Sequence, residues 1–562
     1  MTQQRWHVCP PVPSDLSSQL SGFDPLLVQL LYNRGITEPA GFEPFIAGDE
    51  RLANDPLLLP DIDKAVARIN RALLGGELIA VFGDFDADGI TAAAVLVQGI
   101  GQLGGNVISY IPHRLNEGHG LNDSALEHLR LEGASLVVTV DCGITGASEV
   151  KRGRELGLDI VITDHHVPSD TIPDAVAVVD PKLPESEFPF SELAGVGVAV
   201  KLLQALFRAA NRGAEADEFL DLVALGTVAD MVPLTGENRY LVKRGLEVLN
   251  QSRRVGLQEL VLSSRLEMGK LDAQDISFSL GPRLNASGRL GHGVTSYELL
   301  MTSSREKARE LAAMLEAGNT ERRRLTSEAF ENAREKLAGE AGELPLLIVG
   351  DSGYQPGVVG VVAGRLVDEF YRPAIVIHLD EGTARGSARS IPDFDIIAAL
   401  TECRDLLTRF GGHSQAAGFI MPDSDVDKLR ERLQKIAARE LADVDLRPAL
   451  SVDTVVPLSA LRGQTYKMIG RLEPYGQANQ IPCFLSKKVQ VVSSRAVGAN
   501  GDHLKLKVRD GNVVWDAIAF DLGHRELASH LDIVYNLETE TWTGRELLRL
   551  NIRDFSPASS TP

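Results

Sequence analysis

Asp84, Asp86 and Asp88 stand at alternate positions in GDFDADG, residues 83–89. Carboxylates crowded this closely repel one another unless a cation lies between them, so the spacing points to a divalent metal. Other metal-capable residues follow: Asp141 in VDCGI, Asp164, His165 and His166 in TDHH, and Asp230 in GTVADMVPL. D-x-D-x-D-G also opens a calcium-binding EF-hand loop, but that loop needs a bidentate Glu at its twelfth position, here Val95, and a helix in front. Solvated turn aspartates would be the plainer reading of this stretch taken alone.

The elements that must position these residues read as an α/β domain. Leu78 to Phe82 is an apolar run fitting a buried strand, residues 83–89 are too polar to continue it, and Ile90 onward has helical, alanine-rich spacing. From about 71 to 182 such runs alternate with helical patterns, the βαβ rhythm of a parallel sheet. SLVVTV delivers Asp141, LDIVIT delivers Asp164 to His166, and AVAVV delivers Asp180, which carries no clear metal chemistry. Ligands of an open parallel sheet bind at the carboxyl ends of its strands, so these distant loops can converge. One Asp after a strand is often a helix cap, and one His is often a core residue. Several such sites in one domain outweigh that reading.

Residues 281–290, GPRLNASGRL, read as a glycine-bounded loop bearing Arg283 and Arg289, and Arg114 lies in another polar loop, PHRLNEGHG. A guanidinium fork beside a carboxylate–metal cluster suits phosphate. A long helix is expected from Ser303, in capping-box spacing with Glu306, to about Gly339. Asn319 and Arg322 interrupt its apolar line of Ala308, Leu311, Leu315, Leu325 and Ala329, which suits the wall of a polar cleft. A second α/β unit to about 447 contains PGVVGVVAGRL, GSARS and FGGHSQAAGF, glycine clusters that either let backbone N–H groups approach an anion or are packing turns. From about 448 the chain turns β-rich. HLKLKVRDGNVVWDAIAF reads as a hairpin with Leu504, Leu506 and Val508 inward and Lys505, Lys507 and Arg509 outward, and LLRLNIRDF repeats the pattern with Arg549 and Arg553. A basic face on short strands fits an OB-fold that tracks single strands, with a merely solvated face as the alternative.

The 562 residues allow three or four domains, and 44% hydrophobic with 24% charged residues is ordinary soluble composition. No apolar run has the length of a membrane span and the first residues lack a signal-peptide order, which places the chain in the cytoplasm. Cys9, Cys142, Cys403 and Cys483 show no C-x-x-C spacing, against a disulfide framework or a zinc site. A formal net charge of −20 argues against coating nucleic acid through bulk electrostatics, but not against a local basic groove.

In this order, GDFDADG, VDCGI, TDHH and GTVADMVPL resemble the four motifs of the DHH phosphoesterase superfamily. GPRLNASGR, GSARS, FGGH and LEPYGQAN resemble, within it, the bacterial exonucleases that degrade single-stranded DNA 5′ to 3′. The resemblance covers residues 50–555 or nearly so. It implies an α/β fold: a parallel-sheet DHH domain (51–300) and a smaller α/β DHHA1 domain (343–447), joined by a long helix (301–342). A C-terminal β-barrel OB-fold (448–556) follows, with an accessory segment at 1–50 and a tail at 557–562. It implies two ions, Mn²⁺ or Mg²⁺, in a shell of Asp84, Asp86, Asp88, Asp141, His165 and Asp230, with His166 beside the scissile phosphate. Hard oxygen ligands with one imidazole agree with those metals over zinc. Arg114, Arg283, Arg289, Ser387 and Arg389 would meet phosphate, His413 the DHHA1 anion site, Asn319 and Arg322 the groove, and Lys505, Lys507 and Arg509 the strand. The chain departs from the family's usual aromatic at His119, an imidazole in the place of a base-stacking ring, and from its Trp-His at Tyr354-Gln355. Partners implied are single-stranded DNA, a single-strand-binding protein and a RecQ-type helicase, in recombination and mismatch repair, with the chain a monomer. Rival readings are a phosphodiesterase for short oligonucleotides or cyclic dinucleotides, and a non-catalytic DNA-binding scaffold.

Overall fold

The computed structural model describes residues 4–114, 117–290, 293–339, 341–542 and 545–558. Leu115 and Asn116 of the PHRLNEGHG loop, and residues 559–562 of the expected tail, lie outside the described residues. Two compact units are present: one of Trp6–Glu316 with Ser451–Pro562, the other of Ala317–Leu450 with the N-terminus up to Arg5.

In the first unit the run Leu78–Gly83 is an inner strand of a five-stranded parallel sheet ordered Asn106–Tyr110, Leu78–Gly83, Ala134–Val140, Asp159–Thr163, Ala177–Val179. Its residues alternate between two cores. Ile79 and Val81 pack with helices Ala87–Gln102 and Gly195–Ala209, while Ala80 and Phe82 pack with helices Asp123–Leu131 and Ala147–Glu155. Burial on both faces is why the strand reads as a continuous apolar run. Leu78–Gly83, the earliest of these strands in the chain, has Asn106–Tyr110 on one side and Ala134–Val140 on the other, so the chain changes direction there and leaves a crevice at the carboxyl ends carrying Asp84 and Asp141.

Several local expectations are revised. The polar loop contracts to residues 84–86, because Asp86 Oδ1 accepts the amides of Asp88 (3.0 Å) and Gly89 (3.1 Å) and starts the helix at Ala87. GPRLNASGRL is a helix, Gly281–Leu290, and not a loop. Its Gly288 serves close packing, since a Cβ there would lie 2.7 Å from Phe85 O. Asp230 is delivered by the helix Leu220–Ala229, whose all-round burial removes the periodic pattern. The long helix runs Arg305–Leu337, and Ser304, not Ser303, supplies its cap, with Oγ accepting Lys307 N–H at 3.3 Å.

The barrel closes as Phe484–Val497, His503–Asp510, Val513–Ala519, Arg545–Pro557, His530–Trp542 and back to Phe484–Val497. The N-terminal segment is not a mere lead-in: Leu30, Leu31, Phe42 and Phe45 share one core with Phe484, Val508, Ile533 and Tyr535 of the barrel. Buried Arg239 ties this assembly to the α/β domain, donating to the carbonyls of Phe45 (2.6 Å), Leu472 (2.8 Å), Glu473 (2.8 Å) and Arg471 (3.3 Å).

In the second unit the sheet order is Arg409–His413, Ala416–Pro422, Thr383–Arg389, Ala374–Asp380, Leu347–Asp351, antiparallel except for the last pair. No helix among the described residues is long and apolar enough to cross a membrane.

Candidate metal centre

Three strand ends and one helix end bring the candidate ligands together. Ligand atoms of Asp84, Asp86 and Asp141 lie within 4.8 Å of one another, as do those of Asp88, His165 and Asp230, and those of Asp141, His165 and His166. His165 Nε2 lies 3.0 Å from Asp141 Oδ1, 3.8 Å from Asp230 Oδ2 and 3.9 Å from Asp88 Oδ2. Asp141 and His165 therefore join the groups into one centre.

The backbone is shaped to this end. Asp141 is held at φ 60° and Met231, next to Asp230, at φ 64°, left-handed conformations that side chains other than glycine adopt at a cost of about 1–3 kcal/mol. Asp88 is fixed by the helix Gly195–Ala209, whose Gly195 and Val196 N–H groups donate to its Oδ2 (2.6 Å) and Oδ1 (2.8 Å). A helix N-terminus is a favourable place for such a carboxylate. Two glycines make room: a Cβ on Gly195 would stand 2.6 Å from Asp141 Cβ, and one on Gly226 2.2 Å from Thr91 Oγ1 and 2.9 Å from Asp88 Oδ1.

Four atoms aimed into the centre lack hydrogen-bond partners. Asp84 Oδ1, Asp141 Oδ1, Asp230 Oδ2 and His165 Nε2 are all buried and unsatisfied, a condition a native fold tolerates where an ion completes the set. Burial, with the charges of Asp230 and Asp86, pushes the Asp88 carboxyl well up, against the pull of the Val196 and Gly195 amides. Burial and the charges of Asp88 and Asp86 do the same to Asp141. Cations would remove that repulsion. Hard oxygens with one imidazole fit Mn²⁺ or Mg²⁺.

Two residues outside the expected metal shell brace the site. Asp164 is buried and points away from the ion set: its Oδ1 accepts from His165 N–H (2.8 Å) and His166 N–H (3.1 Å), and its Oδ2 from Ile144 N–H (2.9 Å). The same Oδ1 is 2.7 Å from His166 Nδ1. Burial lowers the proton affinity of His166, but the Asp164 hydrogen bond and charge, with Asp230 and Asp84 beyond, push it up to about 9. Phe85, between the aspartates of DFD, is the other. Its ring carries the Arg114 guanidinium at 5.0 Å and the His119 imidazole at 4.3 Å. Asn285 Oδ1 accepts Ala87 N–H at 2.8 Å, pinning the same loop. The alternation in DFDAD was the only sequence signal for Phe85, whereas Asp164 was read as a metal-capable residue after its strand and has both carboxylate oxygens taken up by hydrogen bonds.

Arg114 lies close enough to feel the charges of Asp84 and Asp86, although burial lowers its pKa first. His119 Nδ1 is 3.1 Å from Asp84 Oδ2, so one edge of the imidazole meets a carboxylate of the candidate metal shell while the ring itself stays exposed. Arg289 is half-buried on the helix whose Gly288 abuts Phe85 O. Arg283 is not brought to the centre: its Nε donates to Glu316 (2.5 Å) and Nη1 to Ser279 O (2.8 Å). In the other unit, Arg322 donates to buried Asn319 Oδ1 at 2.9 Å. There too Arg389, Ala416 and His413 form one row across three strands, Ser387 lies two residues from Arg389 on the same face, and Arg389 Nη1 is 3.3 Å from Ser387 Oγ. A Cβ on Gly360 would come 2.9 Å from Ser387 Oγ, so the neighbouring helix backbone closes on that row. On the barrel Lys507 and Arg509 are exposed and Lys505 half-buried, and Lys507 is 3.2 Å from Asp516. Arg549 pairs with Glu538 (2.5 Å) and Glu540 (2.7 Å), so the face expected to be basic carries interleaved acids.

Residues 78–227 match the DHH family, N-terminal domain, residues 343–439 the DHHA1 domain, and residues 452–554 the RecJ OB domain. The chain is 38% identical over 562 residues to the single-stranded-DNA-specific exonuclease RecJ of Bacillus subtilis, covering 98% of this chain and 71% of that one. It is 34% identical to the RecJ of Salmonella typhimurium, covering 95% and 96%. Among solved structures it is similar to RecJ of Thermus thermophilus in complex with Mn²⁺, with a TM-score of 0.86 and 30% identity, covering 99% of this chain and 80% of that one. With the motifs in order, the three domains matched and nearly the whole length shared, the chain belongs to the RecJ family of single-stranded-DNA-specific exonucleases.

Proposed function

We propose that this chain hydrolyses single-stranded DNA from its 5′ end, with two divalent cations, Mn²⁺ or Mg²⁺, releasing 5′-mononucleotides in recombination and repair. The observation that carries the reading is the convergence of buried, unsatisfied ligand atoms from Asp84, Asp141, His165 and Asp230. The named activity of its relatives and the Mn²⁺ in the Thermus thermophilus structure support it. Bound cations supply Lewis-acid polarisation of the phosphate and activation of water. Asp84, Asp86, Asp88, Asp141, His165 and Asp230 hold them, and the amides of Gly195 and Val196 fix the angle of the Asp88 carboxylate. His166, oriented through Nδ1 by Asp164, keeps Nε2 for a phosphate oxygen. Arg114, steadied on Phe85, supplies a second cationic contact beside Asp84. Asn319, Arg322, Ser387, Arg389 and His413 guide the strand, together with the barrel cations Lys505, Lys507 and Arg509.

We assign catalysis to residues 51–300, the connecting helix to 301–342, the DHHA1 domain to 343–447 and strand binding to 448–556. The chain acts in the cytoplasm as a monomer, beside a single-strand-binding protein and a RecQ-type helicase that exposes 5′ ends. The test is digestion of long single-stranded DNA, labelled separately at each end, with Mn²⁺. Early loss of the 5′ label as mononucleotide, abolished in Asp141→Ala, is the expected result. Early loss of the 3′ label overturns the polarity, and binding without digestion overturns the enzyme.

A further inference from the structure

Asp84 presents its two oxygens to two different environments. Oδ1 is buried and has no hydrogen-bond partner, while Oδ2 lies 3.1 Å from His119 Nδ1. The imidazole that makes this contact is itself held from behind. Its ring lies 4.3 Å from that of Phe85, tilted by 51°, and Phe85 is 1% exposed, packed in the core. The residue that carries Asp84 into the centre is therefore followed in the chain by the ring that positions the partner of Asp84. Asp86, by contrast, is fixed by the amides of Asp88 and Gly89, and Asp88 by those of Gly195 and Val196. The hydrogen bonds of the described residues give Asp84 no backbone N–H of this kind, so its carboxylate depends on a side chain for its orientation.

We propose that His119 is a positioning residue for the metal centre: it donates from Nδ1 to Asp84 Oδ2 and thereby turns Oδ1 toward the ion held with Asp86 and Asp141. The inference rests on the metal-assisted reading above. A carboxylate ligand whose free oxygen is hydrogen-bonded binds with less orientational entropy to lose, and removing such an outer partner weakens metal affinity by about 10–100-fold. The contact demands the tautomer with the proton on Nδ1. It assigns His119 a task different from stacking a base, which needs the ring and not the donor.

Two substitutions separate donor from ring. His119→Phe keeps an aromatic ring against Phe85 and removes the donor. His119→Asn puts an amide nitrogen where Nδ1 stood and removes the ring. Mn²⁺ binding to the full chain without DNA is followed by the electron paramagnetic resonance signal of the free ion, with thermal melting in chelator to establish that each variant is folded. The expected result is a loss of at least about tenfold in the affinity of one ion in His119→Phe, and recovery of most of it in His119→Asn. Unchanged binding in His119→Phe overturns the proposal, as does equal weakening in both variants. If the unsubstituted chain itself took up no Mn²⁺, the metal-assisted reading would fall, a result distinct from either of these.

Discussion

His166 Nδ1 and Asp164 Oδ1 stand 2.7 Å apart, and that same carboxylate oxygen also receives the amides of His165 and His166. One buried acid thus sets both the backbone that carries His165, a candidate metal ligand, and the ring of the residue beside it. Burial works to raise the Asp164 carboxyl, but the His166 hydrogen bond and charge, with the Ile144 amide, hold it below the usual range.

Asp164→Asn is expected to lower the His166 pKa from about 9, because the hydrogen bond and charge that outweigh burial are removed. The titration of the His166 ring protons by NMR in metal-free protein measures this. The imidazole pKa is raised on folding, so the pair's contribution to stability is fully present below the ordinary value of 6.5 and fades as pH rises through about 9. The melting difference between the unsubstituted chain and Asp164→Asn should narrow across that window. A His166 midpoint left unmoved by the substitution would remove Asp164 from its orienting role.

Metal and proton should compete at Asp88 and Asp141, whose carboxyls are pushed well up by burial and by one another. Groups that take up protons on folding favour the metal-free fold at acidic pH and disfavour it as pH rises through their folded-state pKa. Binding of Mn²⁺ should therefore release protons, and the melting temperature gained on adding the ion should grow from mildly acidic to alkaline pH. Calorimetry in two buffers of different ionisation heat counts the protons. A gain in melting temperature independent of pH would mean that these carboxylates are already ionised without the metal.

Gly195→Ala should disable the centre while sparing the fold. The new Cβ would meet Asp141 Cβ at 2.6 Å and Oδ1 at 2.7 Å, displacing a residue already held at φ 60°. A shift of about 1 Å in a metal-holding group costs on the order of 100-fold in rate, and overpacking costs about 1–3 kcal/mol of stability. Gly197→Ala on the same helix is the control, since its Cβ would meet Leu193 at 3.4 Å, an ordinary contact. Equal activity in the two variants would show that Asp141 relaxes without consequence.

The candidate ligands could be picked out because each aspartate or histidine follows an apolar run, although the run before Asp230 is a helix buried all round and shows no period. What escaped the sequence is what depends on contacts between distant segments. GPRLNASGRL looked like a loop because two glycines and a proline bound it, yet Gly288 is there to let the helix approach Phe85 O. Residues 1–50 offered no chemistry, and only the shared core of Phe42 and Phe45 with Phe484 and Tyr535 shows that they complete the barrel domain. Arg283 looked equivalent to Arg289, but Glu316 lies more than thirty positions away and claims it.

That shared core changes how the barrel must be tested. Deleting residues 448–562 would expose Leu30, Phe42 and Phe45, which are fully or almost fully buried, and leave Arg239 without its carbonyl partners at Leu472 and Glu473, so a fall in activity would report unfolding. Charge reversal on the barrel face avoids this. Arg495 and Lys505 are cross-strand neighbours, whereas the charge of Lys507 is already met by Asp516 at 3.2 Å. Arg495→Glu with Lys505→Glu should weaken binding of long single-stranded DNA and lower the slope of log affinity against log salt by about 0.7 for each phosphate no longer neutralised. Lys507→Glu should do less, and hydrolysis of a dinucleotide should be unchanged in every variant, because so short a substrate reaches only the metal centre. Equal binding by all the variants would make this a solvated face, and a matching fall on the dinucleotide would place the effect in the metal centre instead.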